Sequence, residues 1–121
     1  MTTITTYGIQ KGILDSKGDE LTAGVILDHT SIPLVDGKRL AKAGMPIVAN
    51  LEDKSIKATY DNGSSTTAAT ILAKDYDVTA GDTPVVVYYA GSINITKAEA
   101  NAGITVVAAV KTNCKRITFL G

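Results

Sequence analysis

Asp75, Asp77 and Asp82 stand close together in Asp75-Tyr76-Asp77-Val78-Thr79-Ala80-Gly81-Asp82, and an Asp-x-Asp spacing offers hard oxygen ligands of the kind calcium takes. A calcium loop needs more oxygens than these. It usually carries a glycine in mid-loop and a bidentate glutamate at its end, and the first glutamate after Asp82 is the distant Glu99. The three acids are therefore expected to cap backbone amides in a solvated turn and to hold no metal. His29 is the sole imidazole and Cys114 the sole thiol. Zinc sites and nucleophile–base pairs need partners at ligand spacing, so neither residue has the company its chemistry requires. His29 reads as a hydrogen-bonding surface residue and Cys114 as a small buried apolar one. Nucleophile-elbow, phosphate-loop, dinucleotide and zinc-protease motifs do not occur. The expectation is a non-enzymatic protein without cofactor or metal.

The elements that would position these residues are strands. Ile71–Leu72 begins one that is expected to reach the small polar turn Thr79–Asp82, where Gly81 suits positive φ and Asp82 can bond its own backbone two positions on. Val85-Val86-Val87-Tyr88-Tyr89 then returns as a strand whose continuous apolar run implies burial on both faces. Upstream, Lys11–Glu20 has turn chemistry and Leu21–Asp28 reads as a short strand. Ile32 precedes Pro33 and is expected to be extended, and Asp36-Gly37 is a turn pair. Met45–Ala49 is a strand that Pro46 opens or places at an edge. Glu52-Asp53-Lys54 is a charged hairpin tip, after which Ile56 and Ala58 are expected to share one face of a strand. Asp61–Thr67 is a loop. Downstream, Thr96-Lys97-Ala98-Glu99 spells a capping box, with Gly103 as the stop of its helix. Thr105–Lys115 fits either a second helix or a strand over Ile104–Val110, because its β-branched valines weaken the helical pattern. Ile117–Leu120 closes as a strand.

The order of these segments resembles the signature of tailed-bacteriophage head decoration proteins, which stabilise capsids. The matching residues are Ile71-Leu72, the bend from Asp75 to Asp82, Val85–Val87 and Gly91. Leu40-Ala41-Lys42-Ala43-Gly44-Met45-Pro46-Ile47 is similar to the family's basic, Ala-Gly-x-Pro lead into a strand. Lys115-Arg116-Ile117-Thr118-Phe119-Leu120 is similar to its closing strand. Together these cover roughly residues 38–121, about two thirds of the chain. The resemblance implies a protein made in the host cytoplasm that sits on the outer capsid surface of the virion. Its partners would be the major capsid protein and itself, as a homotrimer.

Length and composition fit that picture and exclude others. A chain of 121 residues makes one domain. The fold expected is mainly β, a partly open barrel or sandwich of short strands, with one or two short helices near the C-terminus. Twelve basic residues balance twelve acidic ones, for a net charge of zero. No basic surplus is left to grip phosphates, so direct nucleic-acid binding is not expected. Nothing in the sequence reads as a leader peptide, and no apolar run is long enough for a membrane-spanning helix.

Residues 1–10 read as an N-terminal arm and 11–121 as the domain. The arm alternates β-branched and polar residues but has few apolar side chains, so it is expected to gain order on a partner. The candidate capsid contacts are Ile4, Thr5, Tyr7 and Ile9 in the arm and Ile32, Pro33 and Leu34 in the loop. A different class of function rests on Lys54. Gly37–Leu40, Gly44–Ile47 and Glu52-Asp53-Lys54 resemble the swinging-lysine hairpin of lipoyl and biotinyl carrier domains, although the order Glu-Asp-Lys departs from the lipoyl motif.

Overall fold

The computed structural model describes residues 13–53 and 55–121. Its strands are β1 (Leu14–Leu27), β2 (Leu40–Ala41), β3 (Pro46–Val48), β4 (Thr59–Tyr60), β5 (Thr70–Leu72), β6 (Tyr76–Asp77), β7 (Thr83–Asn94) and β8 (Ile117–Leu120). Two short helices, α1 (Ile95–Ala102) and α2 (Ala108–Asn113), separate β7 from β8, and a 3-10 turn spans His29–Ser31. The protein is mainly β with an open sheet and its helices near the C-terminus, as the sequence predicts.

β7 is the strand on which the main sheet is built. β1 lies antiparallel along one side of it, and the sheet continues on the other side through β5, β3 and β4. Beyond β5, the end of β7 takes β8 in parallel, from Gly91↔Ile117 to Asn94↔Leu120. The sheet is not closed by a strand pair, yet its margins meet at one bridge. Asp28 N–H donates to Ala58 O (2.8 Å) and Ala58 N–H to Ile26 O (2.7 Å), joining the end of β1 to the residue before β4. β2 and β6 form a separate two-stranded ribbon.

The core lies on both faces of β7, as its apolar run implies. Val85 and Val87 pack with Val25, Leu27, Ile47 and Leu72 in one cluster. Tyr88 and Ile93 pack with Ile71, Ala98, Val106, Val110, Cys114 and Ile117 in the other. Pro46 opens β3, where its missing N–H removes no donor from the middle of a ladder. Cys114 is buried as expected, and burial pushes its thiol up to about 11.

Several expectations are corrected. Residues 14–20 are not a turn region but the first half of β1, and their Gly and Asp residues appear as register shifts between Ser16↔Ser92 and Leu21↔Ala90. Opposite that irregularity Gly91 has φ +128°, and a Cβ there would lie 2.9 Å from Glu20 Cα, so the two backbones touch where only glycine fits. The β5 strand stops at Leu72 and does not run on to the Thr79–Asp82 turn, because the chain leaves the sheet to make β6. Ile56 and Ala58 do not share a buried face: Ala58 is buried and Ile56 is 51% exposed, since β4 begins only at Thr59. Helix α1 starts earlier than the capping-box reading has it. Its N-cap is Asn94, whose side chain accepts from Lys97 N–H at 3.0 Å. Gly103 ends it in the left-handed conformation, as predicted. Residues 108–113 settle the open choice in favour of helix.

Candidate functional site

The acidic bend and the Lys42–Pro46 lead fold onto each other. Asp75 Oδ1 accepts from Ala43 N–H (2.8 Å) and from Asn101 Nδ2 (2.9 Å), so one carboxylate ties the bend to the β2–β3 connection and to α1. Asn101 Nδ2 also donates to Ala43 O. Gly44 N–H donates to Leu72 O and Leu72 N–H to Met45 O, both at 2.9 Å. At the far end of the ribbon Arg39 N–H donates to Thr79 Oγ1, and Val78 N–H to Arg39 O. Burial works to raise the Asp75 carboxyl. The Ala43 amide, the Asn101 side chain and the Lys42 charge outweigh it, and the group is held below its ordinary range.

The other two acids divide the expected roles. Asp77 caps locally, accepting the Thr79 hydroxyl (2.6 Å) and amide (3.0 Å), and those bonds lower its carboxyl. Asp82 does not bond its own backbone. It reaches across the sheet end, with Oδ2 2.6 Å from Lys57 Nζ and Oδ1 accepting from His29 N–H (3.1 Å) and facing His29 Nδ1 (2.7 Å). Lys57 first and His29 second hold this carboxyl far below the usual range. The arrangement clamps the place where β1 meets Ala58. Local spacing gives no signal of it, since Asp82 lies 53 positions from His29. Asp28 completes a group with His29 and Asp82 whose ligand atoms lie within 4.8 Å of one another. Its Oδ1 already accepts the Thr30 amide and hydroxyl, so the group is a hydrogen-bonded junction.

Of the candidate contacts, Ile4, Thr5, Tyr7 and Ile9 lie outside the described residues. In the loop, Ile32 is 1% exposed and belongs to the core, because its extended backbone turns the side chain under the sheet. That leaves Pro33 and Leu34 at the surface. Leu34 is 58% exposed, and it leads into a tight hairpin in which Val35 and Lys38 exchange both backbone bonds. Asp36 (φ 53°) and Gly37 (φ 77°) make the turn that the pair predicts. Arg39 braces the hairpin by donating from Nη1 to Ile32 O at 2.7 Å. Val35 and Leu40, which are not among the candidate contacts, join Leu34 among the exposed large apolar residues. With Pro33, Asp36, Lys38 and Met45 they surround a surface concavity. Apolar side chains on a hydrogen-bonded turn thus form an exposed surface, with Asp36 and Lys38 at its rim. Lys54 lies outside the described residues, between Asp53, which accepts the Ser55 amide and hydroxyl, and Ser55 itself.

Comparison of the sequence with models of protein families and with curated proteins finds no match.

Proposed function

We propose that this chain is a non-enzymatic decoration protein that binds the outside of a mature phage capsid and stabilises the head. One observation carries the reading beyond sequence order. The segments that bear the resemblance, Leu40–Ile47, Asp75–Asp82 and the β5 strand, are joined through Ala43–Asp75, Gly44–Leu72 and the pairing of Leu40 with Asp77. The apolar turn Pro33–Leu40, offering Leu34, Val35 and Leu40, supports a role in binding macromolecules.

The mechanism is linkage. A protein that binds the expanded shell more tightly than the immature or broken one shifts the balance toward the expanded shell. Copies repeated over a symmetric surface add their individually weak contacts. The partners in this reading are the major capsid protein and further copies of this chain, and the N-terminal arm is the principal contact with the shell.

The test is deletion of residues 2–9. The described core begins at Ile13, so the shortened protein is expected to melt within about 3 °C of the full chain and to lose co-sedimentation with expanded capsids. Undiminished co-sedimentation would move the contact to Pro33–Leu40. Absence of binding by the full chain would sink the reading. The intact mass of the same preparation decides the carrier alternative: a lipoyl- or biotinyl-sized adduct on Lys54 would replace this proposal with it.

A further inference from the structure

We propose that the outer edge of β1 is a pairing surface for a second copy of this chain, the two β1 strands running antiparallel about a two-fold axis at Ala23. The inference does not rest on the shell-binding reading, and its test uses no shells.

The direction of each backbone group on β1 follows from its neighbours. Ile26 O and Asp28 N–H bond Ala58, on the side away from β7. Ile26 stands opposite Pro84, which has no N–H to give it. Backbone groups alternate sides along a strand, so Val25 and Ala23 face β7 while Gly24 and Thr22 face outward. Among the described residues, nothing bonds the outward N–H and C=O of Thr22 and Gly24. An exposed row of this kind is a template for another strand, and proteins usually guard it with lysine, proline or a bulge. Leu21-Thr22-Ala23-Gly24-Val25-Ile26-Leu27 contains no charge and no proline.

The shape of the opening points to a second copy. Ala58 covers the edge at Leu27, and the register shift between Leu21 and Thr22 ends the regular ladder on the other side. Among the described residues, what remains free is the stretch from Leu21 to Val25, centred on Ala23. A second β1 turned about that residue places its Gly24 opposite Thr22 and its Thr22 opposite Gly24, and each pair exchanges both N–H···O bonds. A Cβ at Gly24 would meet nothing within 4 Å, so the space above it is open to the Thr22 side chain of the other copy. Leu21, 40% exposed, falls opposite Val25 of the other copy, whose side chain is buried in its own core, so the contact there is with backbone. The net charge of zero sets up no overall repulsion between copies.

The contact is small, and the association expected is weak, on the order of 0.1 mM. Sedimentation equilibrium from about 20 µM to 1 mM should show the mass rising from one copy to two. Over the same range the amides of Thr22 and Gly24 should gain at least about tenfold protection from hydrogen exchange, while those of Ala23 and Val25, already bonded to β7, stay unchanged. Gly24→Pro removes only an outward N–H and should abolish pairing with little change in melting temperature. Thr22→Pro is the second variant should the first fail to fold, and exchange on the unmodified protein decides if both do. Three outcomes overturn the inference. They are a single copy at 1 mM, pairing that survives in a folded proline variant, and a three-copy mass with unprotected Thr22 and Gly24 amides.

Discussion

Gly44→Ala is expected to destabilise the protein by several kcal/mol without touching a core side chain. Gly44 has φ +104°, and a Cβ built on it would lie 2.4 Å from Ala98 O, 2.9 Å from Ala98 C and 3.0 Å from Ala98 Cα. All three are backbone atoms of α1, so no side chain can swing aside. Alanine in this backbone region costs about 1–2 kcal/mol by itself. Relieving the overlap requires α1 to move by roughly 1 Å to reach an ordinary contact distance near 3.4 Å. That movement pulls Asn101 away from Ala43 O and Asp75 Oδ1, two hydrogen bonds worth about 1 kcal/mol each. The sum is about 3–4 kcal/mol, a large share of the 5–15 kcal/mol typical of a domain. Urea unfolding followed by far-ultraviolet circular dichroism measures it. Gly24→Ala is the matched control, since its Cβ meets nothing within 4 Å, and it should stay within about 0.5 kcal/mol of the parent. A Gly44→Ala loss no larger than that of Gly24→Ala would refute the reasoning.

Two further predictions concern pH. Asp82 is held below the ordinary carboxylate range by Lys57 and His29, so its stabilisation is present above about pH 4 and disappears as pH falls through and below that value. Asp82→Asn should therefore lower the melting temperature at pH 7 and flatten its decline between pH 5 and 2, and parallel curves for the two proteins would contradict the clamp. Cys114 has its thiol raised to about 11 by burial, so the native state resists ionisation that the unfolded chain undergoes from about pH 9. Stability should fall by up to about 3 kcal/mol from pH 9 to 11, and Cys114→Ala should remove that part of the loss; an unchanged alkaline slope would show the thiol to be exposed.

What the sequence made legible was local. Asp36-Gly37, Pro46 at a strand start, Gly103 at a helix end and the doubly buried β7 each follow from conformational preference or composition over a few residues. The failures come where tertiary contact overrides such preference. Gly18 and Asp19 suggest a turn, but β7 holds that stretch in the sheet as an irregularity of register. Asn94 displaces Thr96 as the cap because β7 and β8 pair through Asn94, which fixes where the strand can give way to helix. Ile32 resembled a loop contact, yet the turn at His29–Ser31 brings it beneath the sheet. Asp82 could be seen as a turn acid, but its partners were set by the meeting of distant strands. The Leu34–Leu40 surface was half legible, since Pro33 and Leu34 stood out while Val35 and Leu40 needed the hairpin to bring them alongside.

The pairing of β1 with β7 has a consequence for the chain while it is being made. Leu14 finds its partner in Ile93 and Leu27 in Thr83, so the longest strand of the sheet emerges from the ribosome well before anything it can pair with. At about 5–20 residues per second the wait is roughly three to sixteen seconds. Closing so long a loop is also slow in a free chain, because its entropy is lost before the contacts form. Throughout that interval the uncharged Leu21–Leu27 segment is unpaired on both sides. Synthesis at high local concentration, as on a crowded polysome, therefore sets capture by a neighbouring nascent chain against completion of β7.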